Sequence, residues 1–540
     1  MQASLKQQIK WAWRLAEGYK GRLFLYFILE LIVIASSLYF ILLSKQAIDL
    51  AVAGDRDQVK TVIVIAISAV LIGLILKSYS NWLNEKTRVE MLISLQNRLI
   101  NSQMLSTWKF IKKWHSGDIQ LRINADSNEV VQMIGNTFIV FILTFIRLLA
   151  SFFVLWSMDP MLAFIILAIS PLLVFSKLYF KRLRSMNANL KKLESYFSQV
   201  VQENLRFRMS IRALGMQATR WNKVVDAQKD IYDLRSSLLN FSIVSQGILK
   251  ASVNFGFLLT FVWGIYKLLE NEISFGMMTA FLQLVGRIQS PVLGMMSFVP
   301  QFIKFRTAVD RIDELLLTDL EEEEQPEVLT SLDSIAIESL SFRYEDNLIV
   351  DDFSMEVKSG VPTAIIGSSG KGKTTLIRLL LSLVKPDSGS ISLYADGVQS
   401  PLSSRHRINI AYVPQGDKLF SGTIRENLMI HHETSAQRLE EAIYLSCAEF
   451  VYDLPEGLDT YVGESGYGLS EGQAQRIALA RSLTRDCKIW LFDEVTSALD
   501  TETTSRLLDR LMKAGKDKIV IYVTHDLALA NRCEHVIYMK

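Results

Sequence analysis

Cysteine is almost missing from this chain of 540 residues, which has only Cys447, Cys487 and Cys533. An odd, sparse set in no metal-ligand spacing excludes a disulfide scaffold and a thiolate metal site, and it fits a reducing compartment. Charge of one sign is equally scarce: 58 Lys and Arg against 56 Asp and Glu leave a net +2, no reason to expect a nucleic-acid partner. The polar excess of disordered chains is absent as well. What is abundant is apolar: half of the residues are hydrophobic, and mean hydropathy is +0.22. The near-neutral total hides a split. Up to Thr318 there are 36 basic and 21 acidic residues, and from Asp319 onward 22 and 35. Two kinds of domain share one chain.

Six apolar stretches occupy the basic half, at Leu23–Leu43, Thr61–Trp82, Met133–Trp156, Met161–Phe180, Phe241–Leu268 and Phe275–Pro300. Each reaches the ~20 residues that a helix needs to cross ~30 Å of hydrocarbon. Lys and Arg concentrate on one side: five up to Arg22, seven after span two and twelve between Lys181 and Arg235. The opposite connections are short and poor in cations, so the positive-inside rule places both termini in the cytoplasm, in a plasma or inner membrane. Span one lacks the order of a cleaved signal and is expected to stay in the membrane. The two long cytoplasmic connections carry few Gly or Pro, so spans two to five should continue beyond the bilayer as helices. Their punctuated tips lie at Ser116–Ile123 and Glu203–Ile211.

An acidic run at Glu321–Glu324, followed by Pro326, reads as a linker over 319–333. It separates a domain at 1–318 from one at 334–540 whose alternating strands and helices predict an α/β fold. The decisive segment is the strand Thr363–Ile366, then Gly367-Ser368-Ser369-Gly370-Lys371-Gly372-Lys373-Thr374-Thr375, then an apolar helix. A glycine-rich loop between strand and helix turns backbone N–H groups onto phosphate oxygens. Lys373 suits the β- and γ-phosphates, and the Thr374 hydroxyl suits Mg²⁺. A second strand ends in Asp493-Glu494, placing Asp493 to hold the same Mg²⁺ and Glu494 to polarise an attacking water.

Five further strings complete a resemblance to the ABC ATPases. Leu469-Ser470-Glu471-Gly472-Gln473 resembles their signature motif, and Gln415, in Tyr412–Gln415, matches the Q-loop, which implies a metal and catalytic role. Ser497–Asp500 matches the D-loop, Thr524-His525-Asp526 the switch histidine, and Tyr344 the aromatic that stacks on adenine. With six spans ahead of it, the whole chain resembles an ABC exporter half-transporter: an α-helical six-span transmembrane domain followed by an α/β P-loop ATPase domain. The resemblance implies ATP as ligand, alternating access, and coupling helices at the two tips. It also implies a dimer, with a homodimer favoured because Glu494 is intact. In that dimer Ser470, Gly472 and Gln473 complete the site on a second subunit. Glu471 departs from the usual second glycine and places a carboxylate near the incoming γ-phosphate.

The expected activity is export or flipping of an amphipathic lipid, peptide or drug-like substrate. A chelate importer on the same scaffold and an ATP-gated regulator are the alternatives. Four deep charges bear on the substrate: Glu30 against Arg147, Lys250 and Arg287. Either Glu30 neutralises one of these cations, or the cavity is cationic and suits an anionic amphipath.

Overall fold

A computed structural model describes residues 5–111, 114, 116–169, 176–296, 298–317, 319–321, 324–368, 370–416, 419–430, 434–463 and 468–539. They form two compact units, Met1–Gln103 with His115–Leu317, and Met104–Trp114 with Thr318–Lys540.

The first unit is wholly helical. The apolar stretches fall in helices Lys20–Ala53, Arg56–Met104, Phe138–Met158, Pro160–Ile169 with Ser176–Arg206, Gln217–Leu269, and Phe275–Met296 with Phe298–Leu316. Residues 170–175, in the middle of the fourth span, lie outside the described residues. Three of the helical stretches, Lys20–Ala53, Arg56–Met104 and Ser116–Met158, are long and apolar enough to cross a membrane. At 1.5 Å per residue the 49-residue Arg56–Met104 is about 74 Å long, more than twice a hydrocarbon core. Gly54, at φ +83°, closes the first long helix and lets its N–H reach the Ala51 and Leu50 carbonyls. On the next helix Val64, Leu71, Ile72, Leu74 and Ile75 are exposed, whereas Leu99, Phe281, Leu284 and Ile288 are fully buried. An apolar exterior around an apolar interior is the pattern lipid contact requires.

The first expected tip is pinned inside this unit. Buried Arg122 donates to Asp118 and Glu314, each at 2.9 Å, and to the Arg311 carbonyl. Residues just before it, Met104–Trp114, instead fold with the ATPase unit: Ser106 bridges Leu320, and the Arg378 guanidinium lies 4.8 Å from the Trp108 ring. At the second tip the helix breaks at Phe207, and Arg220 reaches back to Glu203 at 2.6 Å.

The second unit holds an antiparallel sheet of β1 (Ser334–Tyr344), β2 (Asn347–Lys358), β4 (Ser388–Ala395) and β5 (Val398–Pro401), in the order β2-β1-β4-β5. A parallel sheet runs β11-β3-β10-β9-β6, from His535–Tyr538, Thr363–Ile366, Ile519–Thr524, Ile489–Asp493 and Ile410–Val413, and the short strands β7 (Gly422–Thr423) and β8 (Tyr461–Val462) pair with each other. Strands β3, β9 and β10 are buried along their whole length, as a sheet covered on both faces demands. Their C-terminal ends open side by side, where ligands bind in open α/β sheets.

The acidic linker is docked, not free. Glu321 pairs with Arg407, Glu324 accepts from the Ser404 hydroxyl at 2.8 Å, and Glu327 meets Arg405 at 3.1 Å. The hydroxyls of Ser403 and Ser404 and the Arg405 amide hold the Glu324 carboxyl down at about 2. Beside it, buried His406 accepts from the Ser403 N–H through Nδ1 at 3.1 Å, which requires a neutral ring. Burial, and secondarily Arg405, lowers its pKa below 6.5. A lowered folded pKa contributes stability that is complete above 6.5 and is lost as pH falls through the folded value. Amide exchange over 403–410, corrected for intrinsic rates, is therefore expected to quicken on going from about pH 7.5 to pH 5.5. In His406→Gln that pH step should disappear.

Candidate active site

The phosphate loop leaves the end of β3 and enters the helix Lys373–Leu380. Gly372 caps that helix at φ +85°, and a Cβ there would lie 2.8 Å from the Ile349 carbonyl, so the turn admits no larger residue. Thr375, Leu376, Ile377, Leu379 and Leu380 are buried and fix the helix, while Thr374 and Lys371 face solvent. Lys373 Nζ donates to the carbonyls of Gly367 at 2.5 Å and Ser368 at 3.1 Å, curling over the loop. Ser369 lies outside the described residues.

Asp493 ends β9 and Glu494 follows it, next to β10 and in the same sheet as β3. Burial, reinforced by the neighbouring Glu494, pushes the Asp493 carboxyl up to about 6, with Lys373 opposing. A carboxylate held in such a place gains from a cation. The residues expected at a metal, Thr374, Asp493 and Gln415, can each offer an oxygen, the donor chemistry that suits a hard ion.

Glu494 is the meeting point of the site. It adopts the left-handed conformation at φ +52°, uncommon for a residue with a Cβ. Its N–H donates to the Val523 carbonyl at 2.9 Å. One carboxylate oxygen accepts from Gln415 Nε2, and the other lies 2.8 Å from His525 Nδ1. Three strings 79 and 31 residues apart thus converge on one carboxylate, aimed between the Q-loop and the switch loop.

Ser470 caps the helix Glu471–Leu483 and accepts from the Gln473 N–H, while the Gln473 side chain returns a bond to the Ser470 N–H. Exposed Glu471 occupies the first turn, where the helix dipole favours a carboxylate. Gly472 is required by space, since a Cβ would lie 2.6 Å from the Ala498 carbonyl. Tyr344 ends β1, and its hydroxyl accepts from Arg378 at 2.9 Å. Sequence reasoning missed Arg378 and Gln475, whose partners are distant in the chain. Shortly before the signature, residues 464–467 lie outside the described residues.

Both units resemble known proteins. A family described as ABC transporter matches residues 350–497, and one described as ABC transporter transmembrane region matches residues 23–292. A mesentericin transport/processing ATP-binding protein of Leuconostoc mesenteroides is 27% identical over 87% of this chain and 67% of its own length. A lactococcin-A transport/processing ATP-binding protein of Lactococcus lactis is 26% identical, over 85% and 64%. The chain thus spans about two thirds of the length of these two relatives. An ATP-dependent lipid A-core flippase of Photobacterium profundum is 26% identical over 85% of this chain and 79% of its own. A bacterial Atm1-family ABC exporter with ATP bound shares the fold at a TM-score of 0.78 and 22% identity, covering 96% of this chain and 94% of that one. The chain belongs to the ABC transporter family: it is an ATP-hydrolysing, multi-pass membrane transporter with an exporter-type transmembrane region fused to its ATPase domain.

Proposed function

We propose that this protein exports or flips an anionic amphipath as a dimer, with both termini and the ATPase domain cytoplasmic and a homodimer favoured. The observation that carries the hydrolytic half is the convergence of Gln415 and His525 on Glu494. The loop amides and Lys373 bind the β- and γ-phosphates of ATP, and Tyr344 stacks on adenine. Thr374, Asp493 and Gln415 would hold Mg²⁺, which would supply positive charge against the phosphates. Glu494 orients the water, and His525 and Gln415 hold that carboxylate in place. Ser470, Gly472 and Gln473 close on the nucleotide of a second subunit. ATP binding then draws the two ATPase domains together, and hydrolysis releases them.

The substrate class rests on the deep charges. Glu30 does not compensate Arg147, Lys250 or Arg287. Its carboxylate is engaged by Lys77 and by the Ser80 hydroxyl, each at 2.7 Å. Lys77 was not among the expected deep charges, and with Glu30 paired to it the other three have no ion pair among the described residues. Arg287 bonds only to neutral Ser37 among the described residues, at 2.6 Å, and Arg147 is near enough for the two cations to repel. Uncompensated cations within spans are expensive and favour an anionic ligand.

Inside-out vesicles test direction, with ATP expected to drive an anionic amphipath into the lumen. Arg147→Glu, Lys250→Glu and Arg287→Glu test chemistry: stimulation of hydrolysis by an anionic phospholipid or lipopeptide should vanish while basal hydrolysis persists. Unchanged stimulation in all three, or stronger stimulation by cationic amphipaths, overturns this reading.

A further inference from the structure

Gln475 carries no expected role, yet it bridges two motifs. It is half-buried one turn beyond Gly472, on the helix Glu471–Leu483. Its Nε2 donates to the Glu494 carbonyl at 3.0 Å and lies 3.5 Å from Ser497 Oγ. Its Oε1 accepts from the Ala498 N–H at 3.3 Å. One amide therefore satisfies the peptide after Glu494 and the turn that follows it.

The chain around Glu494 makes that contact consequential. A left-handed residue persists only where its surroundings over-determine it. Strand β10 takes the Glu494 N–H, Gln415 and His525 take its carboxylate, and Gln475 takes its carbonyl. The last anchor alone comes from the signature helix. That helix cannot shift toward the Ser497–Asp500 turn either, because Gly472 already abuts the Ala498 carbonyl.

We propose that Gln475 is a positioning residue that links the two ATP sites of the dimer through a single chain. The inference rests on the dimeric reading above, in which the signature loop of one subunit engages ATP held by the other. Engagement presses on the first turn of the signature helix, and Gln475 passes the displacement to the backbone of Glu494, which serves the opposite site. Occupancy of one site thereby sets the water-orienting carboxylate of the other, a coupling between sites in the thermodynamic sense.

The test is steady-state ATP hydrolysis by the purified full-length protein, with ATP varied. The unmodified protein should show a dependence steeper than hyperbolic. Gln475→Ala should turn it hyperbolic and lower kcat roughly tenfold, with half-saturating ATP shifted less than twofold, since the phosphate loop is untouched. Gln475→Glu keeps an acceptor for the Ala498 N–H but cannot donate to the Glu494 carbonyl, so it should behave like Gln475→Ala. It also provides a second variant should the alanine form fail to fold. An unchanged kcat, or a lower kcat with unchanged steepness, overturns the proposal, as does hyperbolic kinetics in the unmodified protein. Hydrolysis without substrate movement would count against the transport reading and leave this test intact.

Discussion

Glu494→Gln is expected to lower ATP hydrolysis by roughly 10²–10⁴-fold, the range that a positioned general base supplies. Nucleotide binding should persist, because nothing in the phosphate loop changes and the amide can still meet Gln415 and His525. With binding intact and hydrolysis stalled, the two ATPase domains should accumulate in the closed, ATP-bound state. Single-turnover kinetics and nucleotide retention on gel filtration would show both effects together. Turnover near the unmodified rate would remove Glu494 from the proposed role. Gln is a cleaner substitution here than alanine, since it keeps shape and hydrogen bonding while losing only the charge.

Lys373→Ala should fail at the earlier step. Lys373 Nζ sits over the Gly367 and Ser368 carbonyls, at the mouth of the loop. Losing a charge-assisted hydrogen bond to phosphate costs about 1.5–3 kcal/mol, so ATP affinity should drop roughly 10- to 150-fold. Equilibrium binding of a fluorescent ATP analogue separates the two variants: Glu494→Gln binds normally and does not turn over, whereas Lys373→Ala binds roughly 10- to 150-fold more weakly. Unchanged affinity in the lysine variant would show that another group neutralises the phosphates.

The contrast between these residues and Gln475 shows what a sequence can disclose. The phosphate loop is local: its glycines, lysine and threonines stand within nine residues, Gly367 to Thr375, so chemistry and spacing are visible together. The spans were legible for the same reason, because apolar length is a property of contiguous residues. That Gln415 and His525 belong to the site at all came only through the family resemblance, since no spacing rule joins Gln415 to a residue 79 positions away, and their convergence on Glu494 emerged only in the structure. Gln475, Arg378 and Lys77 were out of reach. Each looks like an ordinary polar residue on a helix until a partner from another element is beside it. The acidic linker was legible in part: a run of acids predicts solvent exposure, and Glu324 and Glu327 are exposed, but no local pattern announces that they and Glu321 each have a partner between Ser403 and Arg407.

The short segment Met104–Trp114 also has a consequence for biosynthesis. It folds with residues that follow it by about 200 positions, and Ser106 must wait for Leu320 to emerge before the bridge can form. At ~5–20 residues per second that wait lasts roughly 10–40 s, during which four further spans must enter the bilayer. Trp108 stays uncovered throughout, because Arg378 is made later still. A ribosome that stalls before Arg378 emerges therefore leaves an aromatic side chain uncovered, a ready mark for chaperones and proteases that distinguishes unfinished chains from finished ones.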